Sequence, residues 1–136
     1  PLDFSDPSMQ ALDAAADLAR TYDGELLIAY VAEPAPFSPE LVVPADGYEK
    51  KVTDKATERL EEITKSHIAN GVPTRYKICF GQAYDQIIKV ADEENIDLIV
   101  MATHGHAGLK HMLLGSTTER VVRAAKCAVL TMKYSG

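Results

Sequence analysis

Four apolar runs of strand length punctuate this chain, at residues 25–31 (ELLIAYV), 75–80 (RYKICF), 96–102 (IDLIVMA) and 127–133 (CAVLTMK). Between them lie stretches with apolar residues at helical spacing. The run at 25–31 suits a strand buried on both faces, 75–80 alternates in character, and a helix between successive strands makes them parallel through right-handed crossovers. Residues 1–3 read as the end of a further, earlier strand. The pattern predicts one α/β domain over residues 1–136, a five-stranded doubly wound parallel sheet with helices on both faces.

The helices carry their own boundaries. Asp6 reads as an N-cap with Pro7 at the first helical position, and Leu12, Ala15, Ala16, Ala19 and Tyr22 form the inward stripe before Gly24 stops the helix. Residues 33–47, with four prolines and Gly47, read as a long loop. A helix is expected over 48–69, with Val52, Ala56, Leu60, Ile63 and His67 inward, ended by Asn70-Gly71. Another is expected over 83–94, and a short one over 116–125. Residues 103–115 read as a glycine loop, with room for a helical turn near 109–114.

Composition narrows the partners. The formal net charge is −6, with Lys and Arg spread along the chain, so no basic face for nucleic acid is expected. No run reaches the roughly 18 apolar residues that cross a bilayer, and no signal peptide is visible. A cytoplasmic protein with no membrane partner is expected. Cys79 and Cys127 fit no metal spacing and read as reduced core thiols.

The chemistry concentrates in residues 103–120 (THGHAGLKHMLLGSTTER). In doubly wound sheets ligands bind at the carboxyl ends of strands, and this segment follows one such end. Gly105 and Gly108 allow close backbone approach. Gly115 precedes Ser116, Thr117, Thr118 and Glu119, where Ser116 with Glu119 fits a capping box. Free amides and the positive end of the helix dipole beside three hydroxyls make a phosphate cradle. The plainer reading, a cap and two turns, stays open. The segment lacks the Gly-Lys-Ser/Thr of a P-loop, and no GxGxxG follows the first strand. His104, His106 and His111 lack metal-ligand spacing, so no metal site is expected, and His104 is placed near a phosphate. Asp3, at a strand end, suits a ribose or base as well as it suits ordering its own turn.

These residues resemble the universal stress protein family. The first-strand ending Leu2-Asp3, the fourth strand around Met101, and the motif Gly-x2-Gly-x9-Gly-Ser/Thr carry the resemblance, over nearly the whole chain. Here the motif reads Ala102, Thr103, His104, Gly105, nine residues, Gly115 and Ser116. The first motif glycine is thus Ala102, and most of the family's first strand precedes the position of Pro1. The resemblance implies an adenine nucleotide alpha hydrolase-like fold with strand order 3-2-1-4-5 and ATP, accompanied by Mg2+, across the first and fourth strands. It implies that Leu2, Asp3, Val31, Met101 and Ala102 line the adenosine side. Thr103, His104 and Gly105 border the phosphates, and Gly115, Ser116, Thr117 and Thr118 hold them. It also implies a homodimer through the last strand, from Cys127 to Lys133, whose apolar edge would otherwise be exposed.

The function expected is that of an ATP-binding, nucleotide-responsive regulator of stress adaptation with at most slow hydrolysis. A nucleotide-free scaffold is the alternative, favoured if Ala102 closes the site. A dedicated phosphohydrolase lacks a general base in this reading.

Overall fold

The computed structural model describes residues 1–34, 45–105 and 114–134. In chain order the elements are α1 (Asp6–Thr21), β1 (Leu26–Ala32), α2 (Ala45–Ala69), β2 (Thr74–Phe80), α3 (Ala83–Glu93), β3 (Leu98–Ala102), α4 (Ser116–Ala124) and β4 (Ala128–Met132). Thus 45–47, expected in the loop, open α2. The rest of that loop from residue 35 and most of the expected turn at 109–114 lie outside the described residues.

Strand period sorts the side chains into two cores. Leu26, Ile28 and Tyr30 of β1 join Tyr76 and Ile78 of β2 on one face, against Leu12 and Ala16 of α1 and Ala56 and Leu60 of α2. Val31 turns to the other face, with Ile99 and Met101 of β3, Ile87 and Ala91 of α3, and Val121 of α4. The helices therefore cover both faces, as the alternation of runs requires. Leu60, Val72 and Val121 are wholly enclosed, and each such aliphatic contributes about 1.5–3 kcal/mol through burial.

Two strand pairs form, both parallel. β1 pairs β2 from Leu26 opposite Thr74 to Ala32 opposite Phe80. β3 pairs β4 from Leu98 opposite Ala128 to Ala102 opposite Met132. Between the pairs lies a cleft of about 450 Å³, lined by Leu26 to Ala29 and Leu98 to Val100 and by apolar side chains of α1 and α3. Residues 1–3 are not a strand here, but the Leu2 N–H donates to the Ala29 carbonyl (2.8 Å). The described residues thus give 3-2 and 4-5 as neighbours in the expected order, without joining the two pairs into one sheet.

Several local expectations shift by a residue or two. Ser5, not Asp6, caps α1: its hydroxyl accepts the Ser8 N–H at 3.4 Å, which puts Asp6 in the first turn. Gly115, not Ser116, is the N-cap of α4, with no side-chain cap bond, so Ser116 and Glu119 form no capping box. Tyr22 is 78% exposed instead of inward, because α1 ends one residue earlier. Its stop is Asp23 at φ +52°, with the Gly24 N–H reaching back to the Ala19 carbonyl (2.8 Å). The same closure ends α2 at Gly71 (Val72 N–H to His67 carbonyl, 3.0 Å) and α3 at Asn95 (Ile96 N–H to Ala91 carbonyl, 2.9 Å). Cys79 and Cys127 are free and half-buried, not fully enclosed, and burial pushes the Cys79 thiol up from its ordinary value.

An ion cluster ties β2 to α3. Glu94 accepts from Lys77 and from Arg75 (2.6 Å to the latter), and Arg75 also binds Glu25. Lys77 and then Arg75 hold the Glu94 carboxyl below the ordinary carboxylate range. A depressed folded-state value stabilises the fold above the unfolded value, and that contribution is lost as pH falls through the folded one. Under acid titration the melting temperature of Glu94→Gln should therefore fall less steeply than that of the parent. Parallel curves would remove Glu94 from the acid response.

Candidate functional site

Parallel strands put the carboxyl ends of β1 and β3 on the edge where α1, α3 and α4 begin. A pocket of about 160 Å³ opens at that edge. Leu2 and Asp3 wall it on one side, with Ser8 from the first turn of α1. Val31 and Ala29 come from β1, Met101 and Ala102 from β3, and His104 and Gly105 from the segment that follows. Thr117 and Thr118 from α4 and Ala83 and Ile87 from α3 complete it. Three helix starts thus contribute to one small pocket, and their amides and dipoles favour an anion.

Asp3 is held by its own turn. Its Oδ1 accepts the Ser5 N–H (3.0 Å) and the Ser5 hydroxyl (2.5 Å). Its Oδ2 reaches Gly105, where an added Cβ would overlap it. Glycine at 105 is therefore needed for the carboxylate to sit beside the β3 loop. Gly115 also marks a close approach: a Cβ there would lie 3.1 Å from the Thr103 carbonyl oxygen, tighter than ordinary contact. Both glycines of the sequence motif thus mark close approaches of this edge.

The end of β3 is pinned by three hydrogen bonds. The Thr103 N–H donates to the Met132 carbonyl (2.8 Å) and the Gly115 N–H to the Thr103 carbonyl (2.7 Å). The buried Thr118 hydroxyl donates to the Ala102 carbonyl (3.0 Å). The Thr103 hydroxyl lies 3.1 Å from His104 Nδ1. The other ring nitrogen, Nε2, is buried and has no hydrogen-bond partner among the described residues. A buried polar atom left unpaired costs about 1–3 kcal/mol, which a ligand oxygen could offset.

Of the twelve residues assigned from sequence, nine line the pocket: Leu2, Asp3, Val31, Met101, Ala102, His104, Gly105, Thr117 and Thr118. Thr103, Gly115 and Ser116 do not. Thr103 is buried behind His104, Gly115 caps α4, and Ser116 is exposed at its first turn. Ala102 lines the pocket without closing it. Pro1, Ser8, Ala29, Ala83 and Ile87 also line it and were not assigned from sequence. Ala83 and Ile87 follow from topology, since α3 starts at the same sheet edge, whereas Ser8 had the look of a plain first-turn residue. Gly108, His106 and His111 lie outside the described residues. Among the described residues no group of three or more His, Cys, Asp or Glu is placed to hold a metal, and no helix is long and apolar enough to cross a membrane.

Fold and pocket together define an α/β protein with a pocket at the carboxyl ends of its parallel strands, where doubly wound folds commonly bind ligands. The model of the universal stress protein family matches residues 1–133, and the chain belongs to that family. It is 34% identical to a universal stress protein of Methanocaldococcus jannaschii, over 98% of this chain and 79% of the relative. It is 31% identical to a universal stress protein A homolog of Coxiella burnetii, over 96% of this chain and 91% of that one. Among solved structures, a second M. jannaschii universal stress protein superposes with a TM-score of 0.83 at 26% identity, covering 100% of this chain and 94% of that one. A universal stress protein solved in complex with cAMP superposes at 0.70 and 27% identity, covering 98% and 93%.

The Thr118 bond gives a direct test of the pinned strand end. Thr118→Val keeps the shape but leaves the Ala102 carbonyl unpaired, so a loss of about 1–3 kcal/mol is expected in urea unfolding. An unchanged midpoint and slope would mean that this bond does not hold α4 to β3.

Proposed function

We propose that this protein binds an adenine nucleotide, ATP accompanied by Mg2+, at the pocket between β1, β3 and the start of α4. In this reading it acts as a nucleotide-responsive regulator of stress adaptation in the cytoplasm. The observation that carries the reading is the buried, unpartnered His104 Nε2 at a pocket where three helices begin. A phosphate or ribose oxygen satisfies that nitrogen and meets the helix amides at once. The cAMP complex of a 27% identical relative supports an adenine nucleotide as the ligand class.

The residues divide the ligand between them. Leu2, Val31, Met101 and Ala102 offer an apolar wall for the base, and Asp3 offers a carboxylate to the ribose hydroxyls. A pocket of about 160 Å³ takes a base or a sugar, not a whole triphosphate. The phosphates therefore extend along the rim, past His104 and Gly105 to the amides of Ser116 and Thr117, which the Gly115 bond to the Thr103 carbonyl holds in place. The Thr118 hydroxyl gives its proton to Ala102, so Thr117 is the better phosphate donor. Thr103 orients His104 and does not itself meet the ligand. Bound Mg2+ would neutralise phosphate charge, with its oxygens supplied largely by the nucleotide and water.

Two further features belong to this reading. The single domain is a five-stranded sheet of order 3-2-1-4-5, with residues 1–3 at the central position between β1 and β3. The Leu2 bond to Ala29 and the apolar lining of the cleft support that placement. Two copies pair along β4, where Leu130 is 41% exposed and Val122 of α4 is 45% exposed. Burying these side chains against a second copy removes an apolar, uncharged edge from water.

The test is mass analysis of nucleotide released on denaturation, followed by titration with Mg-ATP. Bound or micromolar ATP is expected in the parent. Gly115→Val should abolish binding and leave the dimer intact, because its Cβ would sit 3.1 Å from the Thr103 carbonyl oxygen and press the helix start away from the β3 loop. Near-normal affinity in that variant would overturn the phosphate assignment. A folded dimer that carries and binds no nucleotide would transfer the function to a scaffold acting by protein contacts.

A further inference from the structure

Phe4 sits between the pocket and α2 in a backbone conformation that phenylalanine rarely adopts, φ +64°. A bulky L-residue in the left-handed region persists only where its surroundings over-determine it. Two kinds of contact do so. On one side, Asp3 and Ser5 clasp each other across Phe4, with both Ser5 donors on Asp3 Oδ1. On the other side, the ring lies 5.1 Å from Tyr30 at 36°, and the Arg59 guanidinium stands over its face, with Cζ 3.9 Å from the centroid. Among the described residues Arg59 makes no ion pair, so the ring is the contact that fixes its head. A guanidinium over an aromatic face is attracted by the ring quadrupole and by stacking.

We propose that Arg59 is a positioning residue for the nucleotide, acting through Phe4 on the carboxylate of Asp3. The proposal rests on the reading that Asp3 touches the bound nucleotide. The chain of contact is short. Arg59 and Tyr30 hold the ring, the ring holds the left-handed turn, and the turn aims Oδ2 at Gly105 and the pocket. Releasing the ring lets residue 4 relax toward ordinary φ, which swings Asp3 away from the β3 loop. A group that must be aimed within a fraction of an ångström depends on such supporting contacts. The placement also means that α2, which begins far along the chain, senses the pocket through one side chain.

The measurement is a double-mutant cycle on Mg-ATP affinity by calorimetry, with melting temperatures recorded for each variant. Arg59→Ala should weaken binding about tenfold, or about 1.4 kcal/mol. Arg59→Lys, which keeps the charge but not the planar stack, should fall between it and the parent. In an Asp3→Ala background, replacing Arg59 should change affinity no further. Arg59→Met retains the apolar stem and separates lost packing from lost stacking, and it should bind like Arg59→Ala. An equal loss from Arg59→Ala with and without Asp3 would overturn the proposal, because the effect would then bypass the carboxylate. So would parent-like affinity in Arg59→Ala while Asp3→Ala binds weakly. If Asp3→Ala itself binds like the parent, the assignment of Asp3 in the pocket fails first, and this inference fails with it.

Discussion

The backbone at Ala102 and Thr103 is the junction on which the site depends. Three bonds of 2.7–3.0 Å leave those two residues, one to β4, one to the N-cap of α4 and one from the first turn of α4. Buried peptide groups must be paired somewhere. Here their pairing also places a helix start beside a strand end. That placement turns His104 toward the pocket, brings Gly115 against the β3 loop and leaves Thr117 at the rim. Loss of any one of these bonds would free the helix start and disperse the amides that make the pocket attractive to an anion.

The opposite end of the sheet is built by different means. α1, α2 and α3 all finish with a left-handed residue and a bond running five residues back, at Asp23, Gly71 and Asn95. Those closures are local and need no ligand. At the carboxyl edge the local turn of Asp3, Phe4 and Ser5 is joined by contacts between distant segments, such as Asp3 with Gly105 and Thr103 with Gly115. A scaffold with one locally closed end and one open end is the usual setting for binding residues on loops.

The architecture was legible because burial on both faces writes itself into uninterrupted apolar runs, and the helical stripes between them leave little choice of connection. The family motif pointed to the edge where the pocket opens, and its glycines at 105 and 115 both mark tight approaches. Apart from residues 45–47, which joined α2, and residues 1–3, which form no strand, the differences were of one residue's scale. Ser5 and Asp6 can both cap, and which one does depends on the path of the incoming chain, which sequence does not record. Gly115 displaced Ser116 as cap because its amide is tied to Thr103, a bond between residues twelve apart in the chain. Tyr22 continued an apolar stripe whose helix had already ended at a left-handed aspartate. The role of Thr103 behind His104, and the stack of Arg59, Phe4 and Tyr30, arise from tertiary contact and leave no periodic signal.

The outer strands β2 and β4 are chemically unlike. β2 carries Arg75 and Lys77, engaged with Glu94 and Glu25, whereas β4 exposes Leu130 without a charge between Ala128 and Met132. Charges on an edge strand resist the addition of another strand. If both edges were apolar, one copy's β2 could accept another's β4, and head-to-tail addition would have no natural end. In the proposed pairing along β4, the charged edge of β2 would close that route, and association would be like-to-like and complete at two copies. The cluster that fastens β2 to α3 would then also act as a terminator of polymer growth.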